Sequence, residues 1–131
     1  MVLGAAAGDI VGSIYEGNPI KTTEFELLDW RARFTDDTVL TMATAHAVLN
    51  GERYADAYRR FARRYPDAGY GGSFRRWFMA DSAGSYNSFG NGSAMRASPI
   101  GWAFDTAEEV LEEAEKSASC RSEEHTSELQ S

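Results

Sequence analysis

The sequence predicts an all-α fold, and two observations support that prediction. Apolar residues recur at three- and four-residue spacing in successive segments, which is the periodicity of one face of a helix. No segment alternates apolar and polar residues as a half-buried strand does, and no internal repeat occurs. Of the 131 residues, 43% are hydrophobic and 25% are charged, a composition typical of one globular domain.

The first predicted helix covers residues 2–16 and consists mainly of small side chains. Asp9 and Glu16 are two helical turns apart along it, so they share one face. Gly4, Gly8 and Gly12 form a line along this helix, the glycine line. Each glycine inside a helix costs about 1 kcal/mol relative to alanine, so we expect a neighbouring helix to approach the glycine line closely in compensation. Pro19 then ends the helix.

Residues 20–34 show no clear period and are predicted to form a loop. The second helix is predicted to begin at residues 35–37 and to end at the Asn-Gly pair at 50–51, a good C-terminal signal. His46, in the middle of this helix, is interpreted as a partly buried helix histidine. The buried side is expected to consist of Val39, Leu40, Met42, Ala43 and Leu49.

Aromatic residues predict the next two helices. The third helix ends at Pro66 and buries a stripe of Tyr54, Tyr58, Phe61 and Tyr65. A short aromatic helix follows at residues 73–80, and we expect its Trp77 and Phe78 in the core.

Residues from 81 onward are rich in glycine, serine and asparagine and are predicted to form a loop. A helix is expected from Ser93, with a kink at Pro99. Thr106 and Glu109 have the spacing of a capping box. They open a last helix that is patterned by Ala107, Val110, Leu111 and Ala114.

The last eleven residues, "RSEEHTSELQS" at 121–131, resemble the translation of a sequencing adapter. We therefore exclude this segment from fold reasoning as non-native and expect it to be disordered. The alternative is a genuine polar tail, which would carry no chemistry either. Residues 1–120 are then expected to be the N-terminal part of a domain that continues in the natural protein.

Charge and cysteine content exclude several classes of function. The 13 Lys and Arg residues are outnumbered by 20 Asp and Glu, so the net charge of −7 disfavours nucleic acid and anionic membranes and attracts cations. Cys120 is the one cysteine, which fits a reducing compartment. No signal peptide and no apolar run of about 20 residues is present, so we expect a cytoplasmic protein.

The segment "TDDT" at residues 35–38 places two adjacent carboxylates between two hydroxyls. Acids at a helix start can simply accept orphan N–H bonds and complement the helix dipole. Four consecutive oxygen-bearing side chains exceed what capping needs, however, and they suit a hard cation such as Mg²⁺, which would neutralise both acids. Both interpretations of Asp36 and Asp37 remain open on spacing alone.

The segment "FGNGSAMR" at residues 89–96 contains two glycines directly before a predicted helix. Backbone N–H groups can approach a phosphate closely in such a place. The alternative is a surface loop that ends in a helix cap at Ser93. Arg96, one turn into the helix, could reach the phosphate or could form a surface ion pair.

Three segments together resemble the ADP-ribosylglycohydrolase family: "GAAAGDIVGSIYEG" at 4–17, "FTDDTVLTMA" at 34–43 and "FGNGSAMRASPIG" at 89–101. The resemblance implies a compact all-α fold that binds two Mg²⁺ ions, or Mn²⁺, in a cleft. It also implies cleavage of the bond between ADP-ribose and an acceptor, in an ADP-ribosylated protein or a small-molecule conjugate.

The resemblance also carries individual residues onto this sequence. The implied metal ligands are Thr35, Asp36 and Asp37. Glu16 matches a glutamate near metals and substrate, and either Glu16 or Asp37 is the candidate catalytic base. Asp9 matches an acid of the first motif with a more structural role. The implied substrate-binding segment consists of Gly90, Asn91, Gly92, Ser93, Ala94, Met95 and Arg96.

One departure from the family pattern concerns the second acidic motif, Asp-x-Asp-Thr, which does not occur in this sequence. Mg²⁺ prefers nearly octahedral oxygen coordination, so we expect an incomplete metal site and weak or no activity from this polypeptide. The alternatives are a module that binds ADP-ribose or another nucleotide diphosphate without turnover, and a helical protein whose acids only cap helices.

Overall fold

The computed structural model describes residues 2–80 and 92–119. In these two ranges the chain forms helices and no strand, which confirms the all-α prediction for this part. The elements are α1 (Val2–Gly12), a 3₁₀ turn (Ser13–Tyr15), α2 (Asp36–Asn50), α3 (Tyr54–Arg64), α4 (Gly72–Met79), α5 (Gly92–Met95), α6 (Ser98–Ala103) and α7 (Ala107–Ser119). None of these helices combines the length and the apolar character that crossing a membrane requires. The predicted tail lies outside the described residues.

Helix α2 lies at the centre of the fold and packs against α1, α3 and α6. Its buried face meets α3, which in turn packs against the aromatic helix α4. Burying each large apolar side chain there stabilises the fold by about 1.5–3 kcal/mol. Phe78 and Trp77 of α4 belong to this core, as predicted. Its other members include Leu40, Ala43, Ala47, Ala57, Tyr58, Phe74 and Ile100.

The ends of α2 follow the local signals in the sequence. Thr35 is the N-cap, and its hydroxyl oxygen accepts a hydrogen bond from the backbone N–H of Asp37 at 3.2 Å. Gly51 is the C-cap with φ of +63°, a left-handed conformation that favours glycine. The prediction for Leu49 was wrong, since this side chain is 84% exposed. Leu49 lies nine residues after Leu40, and at about 100° per residue it points to the opposite side of the helix.

Helix α1 differs from its prediction in length and in packing. It ends at Gly12, and the 3₁₀ turn continues the coil. The predicted close approach to the glycine line is wrong for the described residues. There, a Cβ added at Gly4, Gly8 or Gly12 would meet no heavy atom within 4 Å. The helix instead faces α2 through Asp9, which lies about 100° round the helix from Gly8 and is its one buried residue.

The segment after Gly92 also differs from its prediction. Two short helices, α5 and α6, replace the single kinked helix. Pro99 lies in the first turn of α6, where a missing N–H costs nothing, so it starts a helix and does not kink one.

Helix α7 is capped as the sequence predicts. The hydroxyl oxygen of Thr106 accepts a hydrogen bond from the backbone N–H of Glu109 at 3.1 Å. Val110 packs against the core, whereas Leu111 is 71% exposed. Buried hydrogen bonds join α7 to α3, among them a contact of 2.5 Å between the hydroxyls of Tyr58 and Ser117.

The aromatic stripe of α3 is only partly buried. Tyr54 and Tyr58 are buried, but Tyr65 at the C-cap is 42% exposed. His46 of α2 was expected to be partly buried and is instead exposed. Its Nδ1 lies 3.1 Å from a carboxylate oxygen of Glu52, which explains its position at the surface.

Candidate metal centre

The first turn of α2 is held by a carboxylate from another helix. The Asp9 side chain, only 9% exposed, accepts hydrogen bonds from the backbone N–H groups of Thr35 at 2.7 Å and Thr38 at 3.2 Å. It also accepts hydrogen bonds from both hydroxyls, at 2.5 Å from Thr35 and 2.6 Å from Thr38. These contacts place α1 against the start of α2 and bring their acidic side chains together.

Three carboxylates converge where these elements meet. One oxygen each from Asp9, Glu16 and Asp37 lies within 4.8 Å of the other two. Asp9 is buried, Asp37 is half-buried, and Glu16 is exposed at the end of the 3₁₀ turn. The structure therefore brings together two predicted site residues, Glu16 and Asp37, with Asp9, and leaves Asp36 outside this group.

Two carboxyls of this cluster, those of Glu16 and Asp37, have a pKa above its usual value. Partial desolvation is the main cause for Glu16, and the negative charges of Asp37 and Asp9 raise its pKa further. Burial also raises the pKa of Asp37, with a second contribution from the charge of Asp9. Such mutual repulsion is a cost to folding that a bound cation would remove.

Asp36 occupies the edge of the same acidic region. Its backbone N–H donates to the carbonyl of Ala68 at 2.8 Å, which ties the start of α2 to the loop before α4. Burial and then the charge of Asp37 raise the pKa of the Asp36 carboxyl to about 6, while a hydrogen bond from Thr35 opposes that shift. On its other side the charge of Asp36 adds to burial in raising the pKa of Tyr70.

The predicted substrate-binding segment is described only from Gly92 onward, and Gly90 and Asn91 lie outside the described residues. Ser93 and Ala94 are exposed, so they are open to a ligand. The carbonyl of Met95 accepts a hydrogen bond from the hydroxyl of Thr41 at 3.2 Å. Thr41 lies one turn after Asp37 on the same face of α2, so α5 ends beside the face that carries this acid.

Arg96 has a different place from the one that the sequence suggested. It is fully buried, and its guanidinium lies 4.2 Å from the ring centroid of Tyr58. It also donates to the backbone carbonyl of Ser117 at 2.8 Å. The prediction of a surface ion pair is therefore wrong. The guanidinium connects the residue after α5 to α7 in the core and does not face a phosphate. The cause is physical, because stacking on an aromatic ring compensates the burial of a guanidinium.

Sequence reasoning missed that Asp9 belongs to the acid cluster. The two-turn spacing of Asp9 and Glu16 was the local signal, since it puts both carboxyls on one side of the chain. The hydrogen bonds from Asp9 to Thr35 and Thr38 span 26 and 29 residues. No local pattern encodes a pairing over that distance.

Comparison with known proteins adds the family to this geometry. The sequence model of the ADP-ribosylglycohydrolase family matches residues 1–127. ADP-ribosylhydrolase ARH3 of Xenopus tropicalis is 30% identical over 146 residues, which cover 88% of this chain and 42% of that protein.

Two mammalian proteins give the same result. ADP-ribosylhydrolase ARH3 of Mus musculus is 29% identical over 150 residues, covering 88% of this chain and 40% of that protein. The protein of that name from Homo sapiens is also 29% identical over 150 residues, and 41% of its length is covered. The chain thus spans about two fifths of the curated relatives that it matches.

Proposed function

Because this chain belongs to the ADP-ribosylglycohydrolase family, we propose that it carries part of the centre of a metal-dependent ADP-ribosyl hydrolase. The reaction is hydrolysis of the glycosidic bond between ADP-ribose and an acceptor. The observation that supports the proposal most directly is the cluster of Asp9, Glu16 and Asp37, whose carboxylate oxygens lie within 4.8 Å of one another.

The cluster fits the requirements of Mg²⁺ or Mn²⁺. A hard divalent cation prefers carboxylate oxygens, and Mg²⁺ binds them at about 2.1 Å, so opposite ligands of one ion are about 4.2 Å apart. The limit of 4.8 Å in this protein exceeds that span by little, so small side-chain rotations would bring the oxygens to one ion. Asp37 and Glu16 would supply carboxylate ligands, with Thr35 and Asp36 at the edge of the same region.

When bound, the cations would supply positive charge that offsets the repulsion and hold sugar hydroxyls in place. The chain's own carboxylates account for the rest of the chemistry. Glu16 or Asp37 takes a proton from a water molecule, whose oxygen forms a bond to C1″ of the ribose. The bond from C1″ to the acceptor breaks, and the acceptor leaves with the proton that the carboxylate took from the water, which returns the carboxylate to its ionised form. Nearby negative charge stabilises the oxocarbenium-like transition state.

The substrate class follows from the family and from the position of α5. We propose an ADP-ribosylated protein or a small-molecule conjugate of ADP-ribose, because the relatives are named as ADP-ribosylhydrolases. The segment 90–95 would bind the diphosphate and ribose, since its described end lies beside the α2 face of Asp37. The acidic net charge of −7 argues against nucleic acid as a partner.

The expected turnover of this polypeptide is low. Two octahedral ions need more oxygen ligands than the clustered carboxylates offer, and the sequence has no Asp-x-Asp-Thr segment. We therefore propose weak or no hydrolysis by the chain as it stands, with Mg²⁺ binding retained.

The proposal is tested by measuring metal binding and ADP-ribose release together. Mn²⁺ titration followed by electron paramagnetic resonance should show binding to the wild type and a loss of at least tenfold in affinity for the Asp36→Asn, Asp37→Asn double variant. Any release of ADP-ribose from a modified peptide should fall in parallel and should require Mg²⁺. If the double variant keeps its Mn²⁺ affinity, the metal role is wrong. Calorimetry showing tight, metal-independent binding of ADP-ribose would favour the alternative, a binding module.

A further inference from the structure

We infer that Asp9 is a positioning residue that fixes the hydroxyl of Thr35, so that its oxygen offers a lone pair and not a proton to a divalent cation beside Asp37. The inference rests on the proposed function, because it assigns a role at that metal centre. It concerns hydrogen-bond direction, which decides whether a hydroxyl can bind a cation at all.

The contacts of Asp9 set this direction. An ionised carboxylate accepts hydrogen bonds and donates none, so the hydroxyls of Thr35 and Thr38 must point their protons at Asp9, at 2.5 and 2.6 Å. The two backbone N–H groups of the same residues donate to the same side chain. Asp9 is buried, so these donors replace water around its charge.

The hydroxyl oxygen of Thr35 then has one lone pair that can bind a cation. A hydroxyl has one proton and two acceptor lone pairs. The proton goes to Asp9, and one lone pair accepts the backbone N–H of Asp37 at 3.2 Å. The second lone pair is available to a cation next to the clustered oxygens of Asp9, Glu16 and Asp37.

A competing acceptor shows why Asp9 matters. The Asp36 carboxylate is a second hydrogen-bond partner of the Thr35 hydroxyl. One proton cannot serve both acids, and the contact of 2.5 Å to Asp9 is the short one. Without Asp9 as acceptor, the proton would turn to Asp36, and the direction of the Thr35 hydroxyl would no longer be fixed.

The test is a double-mutant cycle in Mn²⁺ affinity on the full chain. Asp9→Asn keeps the size of the side chain but presents an amide, so it should weaken Mn²⁺ binding by about 10-fold or more, as for other outer partners of metal ligands. Thr35→Val removes the hydroxyl itself. If Asp9 acts through that hydroxyl, most of the Asp9→Asn effect should vanish in the Thr35→Val background. If the losses of Mn²⁺ affinity in the two single variants multiply in the double variant, Asp9 acts as a ligand or by its charge alone. The inference would then be wrong.

Thr38→Val is the matched control. It removes the other hydroxyl that donates to Asp9, at a nearly equal distance of 2.6 Å, and its oxygen is not assigned to the cation. A purely structural role for Asp9 predicts that Thr38→Val weakens Mn²⁺ binding as much as Thr35→Val does. The inference predicts an affinity close to that of the wild type.

A metal-free measurement separates this inference from the proposed function. In EDTA, amide hydrogen exchange at Thr35 and Thr38 should be faster in Asp9→Asn than in the wild type, because Asn offers one neutral acceptor oxygen to the four donors that the two carboxylate oxygens of Asp9 accept. Unchanged protection would overturn the inference alone. If the protection changes as expected but the wild type binds no Mn²⁺, both the proposed function and the metal role of Thr35 are wrong, and Asp9 is only a helix anchor.

Discussion

The substitution Asp37→Asn should stabilise the metal-free chain, because it removes one of the mutually repelling charges at the start of α2. Two unit charges 4.8 Å apart, the upper limit in this cluster, repel by about 3.5 kcal/mol at an effective dielectric of 20 and by about 1 kcal/mol in water. Glu16 is exposed, so its pair with Asp37 lies near the lower value. The buried Asp9 adds to the relief, although its charge is already compensated by four hydrogen-bond donors.

An opposing contribution comes from the helix dipole. A negative side chain in the first turn stabilises a helix by about 0.3–1 kcal/mol, and the substitution removes it. The net expectation is a gain of about 1 kcal/mol in the free energy of unfolding at neutral pH. With saturating Mn²⁺ the order should reverse, because the wild type then gains binding energy that the variant lacks.

Urea denaturation followed by circular dichroism, with EDTA in one series and Mn²⁺ in the other, shows whether the variant or the wild type is more stable under each condition. Thr35 already supplies the side-chain cap of α2, so Asp37 is not needed for that purpose. If Asp37→Asn is less stable than the wild type by 1 kcal/mol or more in EDTA, then Asp37 stabilises the helix terminus. The repulsion argument would fail.

Three further predictions follow from burial and charge. The pKa of Asp36 rises from 3.8 to about 6 on folding, so the folded state binds a proton more tightly than the unfolded state does. The metal-free chain should therefore gain stability as the pH falls from 7 toward about 5. The Asp36→Asn variant should show a smaller dependence of stability on pH in urea titrations. Arg96→Lys should lower the free energy of unfolding by about 2 kcal/mol, because an ammonium cannot reproduce both the stacking on Tyr58 and the bond to the Ser117 carbonyl; thermal unfolding with no change would contradict this. Phe78→Ala should cost about 3–5 kcal/mol, whereas Leu49→Ala, its exposed apolar counterpart, should stay within about 0.5 kcal/mol; equal losses would place the core elsewhere.

Local signals in the sequence predicted the helices whose ends have a chemical marker. Thr35 and Gly51 bound α2, and Thr106 starts α7, because caps satisfy orphan backbone groups within a few residues of the marker. The burial of individual side chains was harder to predict. Leu49 is apolar and lies in a helix, yet it is exposed because no neighbouring helix among the described residues covers that side.

The long-range part of the candidate site could not be predicted from one sequence. The family resemblance gave the types of residue, such as Glu16 and Asp37, and the structure brings both together. Arg96 is a residue whose position local sequence signals do not predict. From the sequence a charged residue one turn into a helix belongs at the surface, and only the tertiary structure places an aromatic ring and a carbonyl around it.

The arrangement explains why two acids stand side by side at the start of α2. Capping needs one acceptor for the N–H of Asp37 and another for the N–H of Thr38, and Thr35 and Asp9 provide these. The carboxylates of Asp36 and Asp37 are therefore not needed as acceptors for these backbone N–H groups. Their raised pKa values show that their charges are unfavourable in the folded chain, and capping of α2 does not require that unfavourable energy. A fold that used these acids only as caps would gain by losing one of them. Their position beside Glu16 is what a cation-binding role predicts.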